Sequence, residues 1–371
     1  MSKTLQDYAT LINDTIQSNE INHYITTDNM CQNLGGIDTF KNINIPQGKV
    51  RSFQKDDVLL SNIRLYFRKV YRAKQKGGCS SDVLVFRAKH IDSATLFAIL
   101  SSQIFTDYAC SGSQGSKMPR GNKTHMMDFK IPTINFTIAK IFNSIQNKIE
   151  NNHKINELLH KILELLYEQY FVRFDFLDEN NKPYQTSGGK MKFSKELNRL
   201  IPNDFEVKTL GELTQLKVGN KNANHSSNQG KYPFFTCSNN PLKCETYQFE
   251  GKHIIISGNG NFYVTHYDGK FDAYQRTYVV NPNNPNHYVL IYLFVKSYTN
   301  YLKLQSRGSI IKFITKSDIE NIKIVLPNLK TYTKWNNVLK MIENNNQSTQ
   351  TLTAIRDFLL PLLLKQQVKP Q

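Results

Sequence analysis

The sequence predicts an α+β protein in which two mixed α/β domains are joined by two long antiparallel coiled-coil helices. One observation behind this prediction is a stretch of 38 residues, 134–171, that contains neither Gly nor Pro. Another is that landmarks of the first half of the chain recur in the same order in the second half, which indicates a duplicated unit of domain plus helix. Two copies that pair through the same helix face favour a two-fold arrangement, so we expect a pseudo-two-fold internal duplication with antiparallel helices.

The first long helix is predicted from its narrow stripe of residues spaced alternately three and four apart. At about 1.5 Å per residue, the helix would be roughly 55 Å long, which exceeds a usual globular helix and requires a partner helix to bury the stripe. The predicted stripe consists of Ile138, Ile141, Ile145, Lys148, Asn152, Ile155, Leu159, Ile162, Leu166 and Gln169.

The second long helix is predicted over residues 331–366. Both helices carry the sequence Ile-Glu-Asn-Asn, from Ile149 and again from Ile342, 193 residues apart. Pro361 is expected to end or kink this helix near its last turn, because proline removes a backbone hydrogen bond. Its predicted stripe consists of Trp335, Val338, Ile342, Leu352, Ile355, Leu359 and Leu362.

The domains themselves repeat landmarks at offsets between 193 and 205 residues. Residues 3–11, an expected short helix, match residues 208–216. The other pairs are 57–61 with 253–257, Gly115-Ser116 with Gly308-Ser309, and Pro132 with Pro327.

These landmarks divide the chain into five parts. Residues 172–204 are polar and rich in turn formers, so we expect a connector with little core of its own. The predicted parts are a first domain at 1–132, a first long helix at 133–171, the connector at 172–204, a second domain at 205–327 and a second long helix at 328–371.

The composition favours a polyanionic partner. With 47 Lys and Arg against 30 Asp and Glu, the chain carries a formal charge of +17 and has a pI near 9.5, which suits nucleic acid. Its five cysteines form no metal-spaced pairs, as expected of reduced thiols in a cytoplasmic protein. No apolar stretch is long enough to predict a membrane span, and none resembles a signal peptide.

Signatures of catalysis are weak. The string at 281–285 does not provide the Asn/Asp-Pro-Pro-aromatic motif of an amino-methyltransferase. A Gly-x-Gly follows the predicted strand at 253–257, but Tyr263 occupies the third glycine position of a dinucleotide loop. The nine histidines form no catalytic or metal-binding pattern. We therefore expect neither a catalytic residue nor a metal or cofactor site.

Eight motifs run in a fixed order through nearly the whole chain. They are YITTDNM from Tyr24, DVLLSNIRLYFRKV from Asp57, GGCSSDVLVFRAK from Gly77, GSKMPRGNK from Gly115, YEQYFVRFDF from Tyr167, NKPYQTSGGKM from Asn181, IPNDFEVKTLGELTQL from Ile201 and IRDFLLPLLL from Ile355. As an ordered set they resemble the specificity (S) subunit of type I restriction–modification systems.

The resemblance implies a non-catalytic subunit that recognises double-stranded DNA. In this family, each of two target recognition domains reads one half of a split target, and the two helices set the distance between the halves. Two readers about one helical turn apart, roughly 34–36 Å, are within reach of helices this long. Two modification (methyltransferase) subunits, which bind S-adenosylmethionine and methylate adenine N6, are expected to hold the helices and domains, and restriction subunits then join. The two domains differ, so the resemblance implies an asymmetric target.

Base-reading residues are predicted from residue type and from their position in polar loops next to predicted strands. Arg and Lys suit guanine, whereas Asn and Gln suit adenine. Each could instead be an exposed loop residue or a phosphate contact. The candidates in the first domain are Asn62, Arg64, Arg68, Lys117, Arg120 and Lys123. Those in the second domain are Asn239, Asn259, Asn261, Gln275, Arg276 and Arg307.

Two other classes share part of this pattern. An RNA-binding protein would share the charge, but paired aromatic residues on a sheet are not evident. A sequence-nonspecific nucleic-acid-binding coiled-coil scaffold would explain the helices while giving the duplicated domains no role.

Overall fold

A computed structural model describes residues 3–39, 43–131, 133–227, 229–327 and 333–364; the side chains of residues 333 and 334 are outside this description, and so is Pro132. The chain divides into two compact units. Unit 1 comprises residues 1–155 and 344–371, and unit 2 comprises residues 156–343. Each unit therefore combines one mixed domain with part of both long helices. Within the described residues, no helix is both long enough and apolar enough to cross a membrane.

Unit 1 contains short strands, three short helices after them, and segments of the long helices. Two 3₁₀ turns, Ser18–Glu20 and Leu65–Phe67, lie between strands of this domain. The elements of the first domain, with the long helix that follows it, are α1 (Leu5–Tyr8), β1 (Ala9–Ile12), β2 (Thr15–Gln17), β3 (Tyr24–Ile25), β4 (Lys49–Phe53), β5 (Val58–Ser61), β6 (Val70–Arg72), β7 (Gly77–Cys79), β8 (Val83–Ala88), α2 (Ser93–Ser101), α3 (Gln103–Ser111), α4 (Lys123–Met127) and α5 (Phe136–Tyr167).

Two four-stranded sheets organise this domain. One is antiparallel throughout, in the order β1-β8-β5-β6, and the other has the order β2-β4-β7-β3 with β3 and β7 parallel. Strand β5 is buried along its whole length, as a central strand of apolar residues should be. Helices α2 and α3 cover the first sheet, and Phe97 of α2 packs against Phe142 of α5. The domain is thereby attached to the first long helix.

Unit 2 has longer strands and a larger sheet. Its elements, with the second long helix, are β9 (Met191–Ser194), β10 (Arg199–Pro202), β11 (Glu206–Thr209), α6 (Leu210–Leu213), β12 (Thr214–Val218), β13 (Tyr232–Phe235), β14 (Leu242–Cys244), β15 (Phe249–Ser257), β16 (Val264–Ala273), β17 (Thr277–Pro282), α7 (Tyr288–Ser297), α8 (Thr299–Gln305), α9 (Lys316–Glu320), β18 (Lys323–Leu326) and α10 (Thr333–Leu359).

The six-stranded sheet of unit 2 has the order β12-β17-β15-β16-β13-β14. Neighbouring strands of this sheet are antiparallel except for β13 and β16, which are parallel. The almost wholly apolar helix α7 is buried against this sheet. Two-stranded pairs, β9 with β10 and β11 with β18, complete the unit.

Both domains begin with the same short motif, a capped helical turn followed directly by a strand. Thr4 and Thr209 each form a reciprocal capping box, with Asp7 and Glu212 respectively. Each helix ends after about one turn, and the chain continues directly as strand β1 or β12. The expectation of a helix over all of residues 3–11 was therefore wrong beyond Tyr8, because tertiary pairing with β8 overrides local preference.

The segment 172–204 has more core than its composition predicted. Its hairpin β9-β10 is paired over four residues, and Phe174 and Ile201 are buried in the core of unit 2. The Phe174 ring packs edge-on against Phe205. The expectation of little core was wrong because a few widely spaced large residues bury much apolar area in an otherwise polar stretch.

The two long helices run antiparallel in each unit. In unit 1, Asn152 Nδ2 donates to Thr349 Oγ1 at 3.1 Å. In unit 2, Asn156 Nδ2 donates to the Ile342 carbonyl at 3.4 Å, and Tyr170 packs edge-on against Trp335. As residue numbers rise along α5, those of its partners on α10 fall. The predicted α+β fold with two mixed domains and two long antiparallel helices is confirmed.

The ends of the long helices follow local chemistry. Helix α5 continues into a π-helical turn at Glu168–Val172. Helix α10 gives way to a 3₁₀ turn, Leu360–Leu362, at the predicted Pro361. Residues 331, 332, 365 and 366 of the predicted helix lie outside the described part of the chain.

The buried side of α5 lies about one residue away from the predicted stripe. Ile141, Ile155 and Ile162, which were predicted to be in the stripe, are exposed. The predicted register was wrong for these positions because several buried residues are polar, so apolar residues alone did not mark the buried side. The buried residues are Ala139, Phe142, Gln146, Ile149, Glu150, Asn152, Asn156, Leu163 and Tyr167.

Gln146 makes the polar connection at the centre of unit 1. Its Nε2 donates to the Leu34 carbonyl at 2.6 Å, and its Oε1 accepts from Arg356 Nη1 at 3.2 Å. Arg356 is only 2% exposed, and its guanidinium also pairs with Asp357 at 2.9 Å. One amide thus joins the domain, α5 and α10, and every polar atom of its side chain is used.

Glu343 has a corresponding role in unit 2. Its carboxylate pairs with Lys252 Nζ of strand β15 at 2.9 Å, and His266 Nδ1 of strand β16 lies 3.7 Å away. Burial, with smaller contributions from His160, Lys252 and Lys296, lowers the pKa of His266 to about 3. The imidazole is therefore neutral at pH 7, and the 3.7 Å separation is not an ion pair.

Replacing Gln146 should destabilise the chain more than an ordinary surface change. We expect Gln146→Leu to lower the free energy of unfolding by about 2 to 3 kcal/mol, because Arg356 would remain buried without this acceptor. Urea unfolding followed by circular dichroism measures the change, and Gln350→Leu at an exposed position of α10 is the matched control. A Gln146→Leu/Arg356→Leu double variant should recover part of the loss; equal effects of Gln146→Leu and the control would contradict the assignment.

Acid should destabilise unit 2 through His266. The folded pKa lies below the unfolded value of about 6.5, so the unfolded state binds more protons between pH 6.5 and 3, and stability falls as the pH drops through that window. Between pH 6.5 and 5 this amounts to about 2 kcal/mol, which His266→Phe should remove. Urea unfolding at several pH values tests this, with exposed His90→Asn as control; parallel pH profiles for wild type and His266→Phe would refute it.

Candidate nucleic-acid interface

Three loops of the first domain meet in what we call loop cluster 1, residues 62–64, 80–82 and 114–121. The Asn62 backbone amide donates to the Asp82 backbone carbonyl at 2.8 Å, and the Gly121 backbone amide donates to the Asn62 backbone carbonyl at 3.1 Å. The Arg64 amide donates to the Pro119 carbonyl at 2.9 Å. These bonds are between backbone groups, so they fix the loops without depending on side-chain identity.

The second domain repeats these bonds in loop cluster 2, residues 258–260, 274–276 and 307–314. The Gly258 amide donates to the Arg276 carbonyl at 2.7 Å, the Ile314 amide to the Gly258 carbonyl at 2.9 Å, and the Gly260 amide to the Lys312 carbonyl at 2.8 Å. Each donor and each acceptor lies 193 to 196 residues after its counterpart in loop cluster 1. The duplication read from the sequence thus extends to the backbone hydrogen bonds of the loops.

Lys117, Arg120 and Lys123 lie on the exposed side of the first domain. Lys117 is at the tip of the hairpin loop 115–119, and Arg120 is paired through its backbone with Gln114 at the base of the hairpin. Arg120 Nη2 pairs with Asp82 at 2.8 Å while the arginine side chain stays 62% exposed. Lys123 is the first residue of α4 and is also exposed. Asp82, which was not among the predicted site residues, orients Arg120.

The other three candidates of the first domain are placed differently. Asn62 is buried beneath the loops, and its Oδ1 has no hydrogen-bond partner among the described residues. Arg64 is half-buried, with a left-handed backbone at φ 50° and Nη2 3.5 Å from the Lys117 carbonyl. Arg68 donates to the Ser101 carbonyl at the end of α2, away from the hairpin tip, and burial lowers its pKa.

Most candidates of the second domain lie together. Gln275 and Arg276 are exposed in the turn between β16 and β17, and Asn259 forms an isolated bridge with Phe313. Asn261 Nδ2 donates to the Tyr263 hydroxyl at 3.0 Å. Arg307 Nη2 pairs with Asp318 at 3.1 Å and remains 60% exposed.

The loop after β13 lies against the same cluster. Asn239 is exposed in this loop, and the Tyr274 amide donates to the Phe235 carbonyl at the end of β13. Cys237 Sγ lies 3.5 Å from the Arg276 carbonyl, and burial raises the pKa of its thiol. The turn 274–276 is therefore supported from two sides.

A buried carboxylate that was not among the predicted site residues supports the turn at 274–276 from below. Asp272 is fully buried; it accepts from Thr246 Oγ1 at 2.8 Å and lies 3.4 Å from His225 Nε2 and 4.0 Å from Lys221 Nζ. With Cys244, the His225 and Asp272 side chains form a group of three metal-ligand types within 4.8 Å. The Cys244 thiol donates to the backbone carbonyls of Tyr232, Pro233 and Thr246, and Lys221 Nζ lies near Asp272, so these side chains form a hydrogen-bond network.

Lys221 connects that network to the loops. Its carbonyl accepts from the Gln275 amide at 2.9 Å, and its backbone forms a parallel bridge with Tyr274. The sequence alone could have revealed the role of Lys221 only if the pairing between distant strands had been predicted.

Equivalent positions of the two clusters carry unlike side chains. The backbone carbonyl that accepts from Asn62 in loop cluster 1 belongs to Asp82, and the one that accepts from Gly258 in loop cluster 2 belongs to Arg276. The backbone amide that donates to the hairpin loop belongs to Arg64 in loop cluster 1 and to Gly260 in loop cluster 2. The two clusters therefore share a backbone frame and present different charges to a ligand.

Comparisons with known proteins agree with the motifs. Residues 202–355 match the family model of the type I restriction modification DNA specificity domain. The specificity subunit of the type I restriction enzyme EcoDI from Escherichia coli is 33% identical over 164 residues, which cover 42% of this chain and 36% of that subunit. The MjaIX specificity subunit from Methanocaldococcus jannaschii is 24% identical over 301 residues, which cover 72% of this chain and 67% of that subunit. The match thus spans about a third of the EcoDI subunit and two thirds of the MjaIX subunit.

The fold comparison covers more of the chain. The crystal structure of the S subunit of a type I restriction–modification system from M. genitalium has a TM-score of 0.62 and 16% identity, and the match covers 99% of this chain and 96% of that one. At this identity the likeness concerns the fold. The sequence matches confirm the resemblance that the ordered motifs predicted: the chain is similar to the specificity subunits of type I restriction–modification systems, and its fold is like that of such a subunit.

Proposed function

We propose that the chain selects the DNA target of a type I restriction–modification complex and has no catalytic role of its own. The domains at 1–132 and 205–327 each read one half of an asymmetric bipartite target. The helices at 133–171 and 328–371, with the connector 172–204, set the spacing of the halves. Two modification subunits that bind S-adenosylmethionine dock on the helices, and restriction subunits join them.

One observation carries the proposal: loop clusters 1 and 2 repeat the same backbone hydrogen bonds while their side chains differ. A fixed backbone places side chains reproducibly against a regular ligand such as duplex DNA, and the side chains then choose the bases. Two clusters with different side chains would read two different half-targets. The charge of +17 supplies attraction to the phosphates.

The loop residues suit the grooves of DNA. Arg120 and Arg276 are exposed on rigid loops, and arginine can form two hydrogen bonds to the O6 and N7 of guanine. Gln275 offers the corresponding donor and acceptor to adenine. Asn62, being buried, is assigned a supporting role beneath the loops.

A repeated apolar pair on the helices supports docking of two like subunits. Ile162 and Leu165 of α5 are exposed, and so are Ile355 and Phe358 of α10, each 193 residues later. An exposed apolar pair three residues apart lies on one helix face, where a partner can cover it. Its occurrence once in each unit suits two copies of one modification subunit.

The target itself tests the proposal. The chain is co-expressed with a candidate modification subunit, and N6-methyladenine is mapped across the genome by direct-read sequencing. We expect one split motif with a fixed spacer that disappears when the chain is deleted. Methylation without a shared motif, or salt-sensitive binding of all duplexes alike, would favour the alternative of a sequence-nonspecific nucleic-acid-binding scaffold.

Arg120→Ala and Arg276→Ala should each relax one half of that motif and leave the other unchanged. A lost arginine–guanine pair is worth about 1–3 kcal/mol of discrimination, so the affected base should become degenerate in the methylation map. Arg173→Ala, an exposed arginine outside the loops, is the matched control. An unchanged motif in both loop variants would remove these two assignments.

The helix pairs should determine how many modification subunits bind. We expect Ile162→Ser/Leu165→Ser and Ile355→Ser/Phe358→Ser each to lose one of two subunits, and the combined variant to lose both, because each change removes apolar contact area. Native mass spectrometry of the purified complex gives the stoichiometry. Exposed Lys161→Ser on α5 is the control, and full occupancy of the combined variant would show that docking takes place elsewhere.

A further inference from the structure

The hairpin loops of the two clusters have the same construction. In loop cluster 1 the Gln114 and Arg120 backbones exchange hydrogen bonds around residues 115–119, and in loop cluster 2 those of Arg307 and Phe313 do so around residues 308–312. Each loop begins with a Gly at φ +96° followed by a Ser. The remaining three residues differ, and they form the part of each loop that projects into solvent.

The tip of the second loop is apolar where the tip of the first is basic. Ile310 is 94% exposed and Ile311 is 62% exposed. The corresponding residues of the first loop are Lys117 and Met118, the latter 56% exposed. A single exposed apolar residue is ordinary, but two adjacent isoleucines at the centre of a projecting loop are not explained by packing within this unit.

The loop cannot easily turn its isoleucines inward. The Gly260 amide donates to the Lys312 carbonyl at 2.8 Å, and the Ile314 amide donates to the Gly258 carbonyl at 2.9 Å. Gly308 has a positive φ, and a Cβ at this position would overlap the Ile311 carbonyl oxygen. The base of the loop is therefore fixed, and the tip stays in solvent until a ligand covers it.

The surroundings of the tip indicate which ligand covers it. Lys303, Arg307 and Lys312 are exposed close to it in the chain, and so are Tyr301 and Leu304 of α8. Arg307 is partly neutralised by Asp318. Cations around a small apolar tip suit the major groove of DNA, where phosphates line the edges and the 5-methyl group of thymine is the apolar feature.

We propose that Ile310 and Ile311 read thymine 5-methyl groups in the half-target of the second domain. This inference rests on the proposed function and deepens it, because it names the base for one loop. Lys117, at the position equivalent to Ile310, donates instead to guanine or to a phosphate. The exchange of lysine for isoleucine at one loop position would then be one reason why the two half-targets differ.

Uracil provides a direct probe, because it lacks only the 5-methyl group of thymine. After methylation mapping has defined the target, each thymine of the second half is replaced by uracil in turn, and binding of the full chain with its modification subunits is measured. We expect about three- to fivefold weaker binding at one or two positions, the effect of one methyl contact. The Ile310→Ser/Ile311→Ser complex should bind thymine and uracil duplexes equally.

Met118→Ser is the matched control in the first domain, and it should leave the uracil effect in the second half-target intact. Melting temperatures of all variants check that the exposed substitutions leave the fold unchanged. Equal binding of thymine and uracil duplexes by the wild-type complex, or a second half-target without thymine, overturns the loop assignment alone. Loss of modification subunits from the double variant, with thymine dependence unchanged, also overturns it in favour of a protein contact. Binding without any target preference overturns the proposed function together with this inference.

Discussion

The side-chain amide of Gln146 is the interaction on which unit 1 depends. It is buried between the two long helices and the first domain, and it donates to one partner while accepting from another. A buried polar group is stable only when its hydrogen bonds are made, so this geometry permits one alignment of α5 against α10 and one seating of the domain. In unit 2, the pairing of Glu343 with Lys252 connects the second domain to α10 in a comparable way. Apolar packing alone would tolerate a shift of the helices by a turn, whereas these polar contacts would not.

A precise seating matters because the loop clusters are short and rigid. Their backbone hydrogen bonds recur in both domains. The direction in which each loop projects is therefore determined by backbone amides and carbonyls and not by the identity of the side chains. Side chains on such a frame can change without disturbing it, as Asp82 and Arg276 illustrate at one position and Lys117 and Ile310 at another. The two domains can therefore keep a common architecture and still present different chemistry.

The sequence predicted the architecture because its signals were long or repeated. A stretch of 38 residues without Gly or Pro predicts a long helix, and landmarks at a steady offset predict a duplication, even when individual short elements are predicted wrongly. Short elements were predicted less well. After the single turn of α1, the chain continues as β1 because it pairs with β8, whose partner residues are 73 to 79 residues away in the chain. The site was predicted in the same uneven way. Residue types identified exposed loop residues such as Arg120 and Arg276, but they could not reveal that Asn62 is buried or that Asp272 and Lys221 support the turn, because those facts arise from contacts between distant strands.

The misplaced stripe on α5 has a physical cause that bears on the proposed docking surface. A periodic apolar pattern records every surface that a helix must cover, whether the partner belongs to the same chain or to another one. Here the buried side of α5 contains Gln146, Asn152 and Asn156, while Ile155 and Ile162 remain exposed. Polar residues within the chain's own interface weaken the pattern there, and isoleucines outside it strengthen the pattern one position away. On the proposed docking, the apolar pattern in the sequence is the sum of two interfaces, and the difference between the predicted and the buried stripe is the helix surface that a modification subunit would cover.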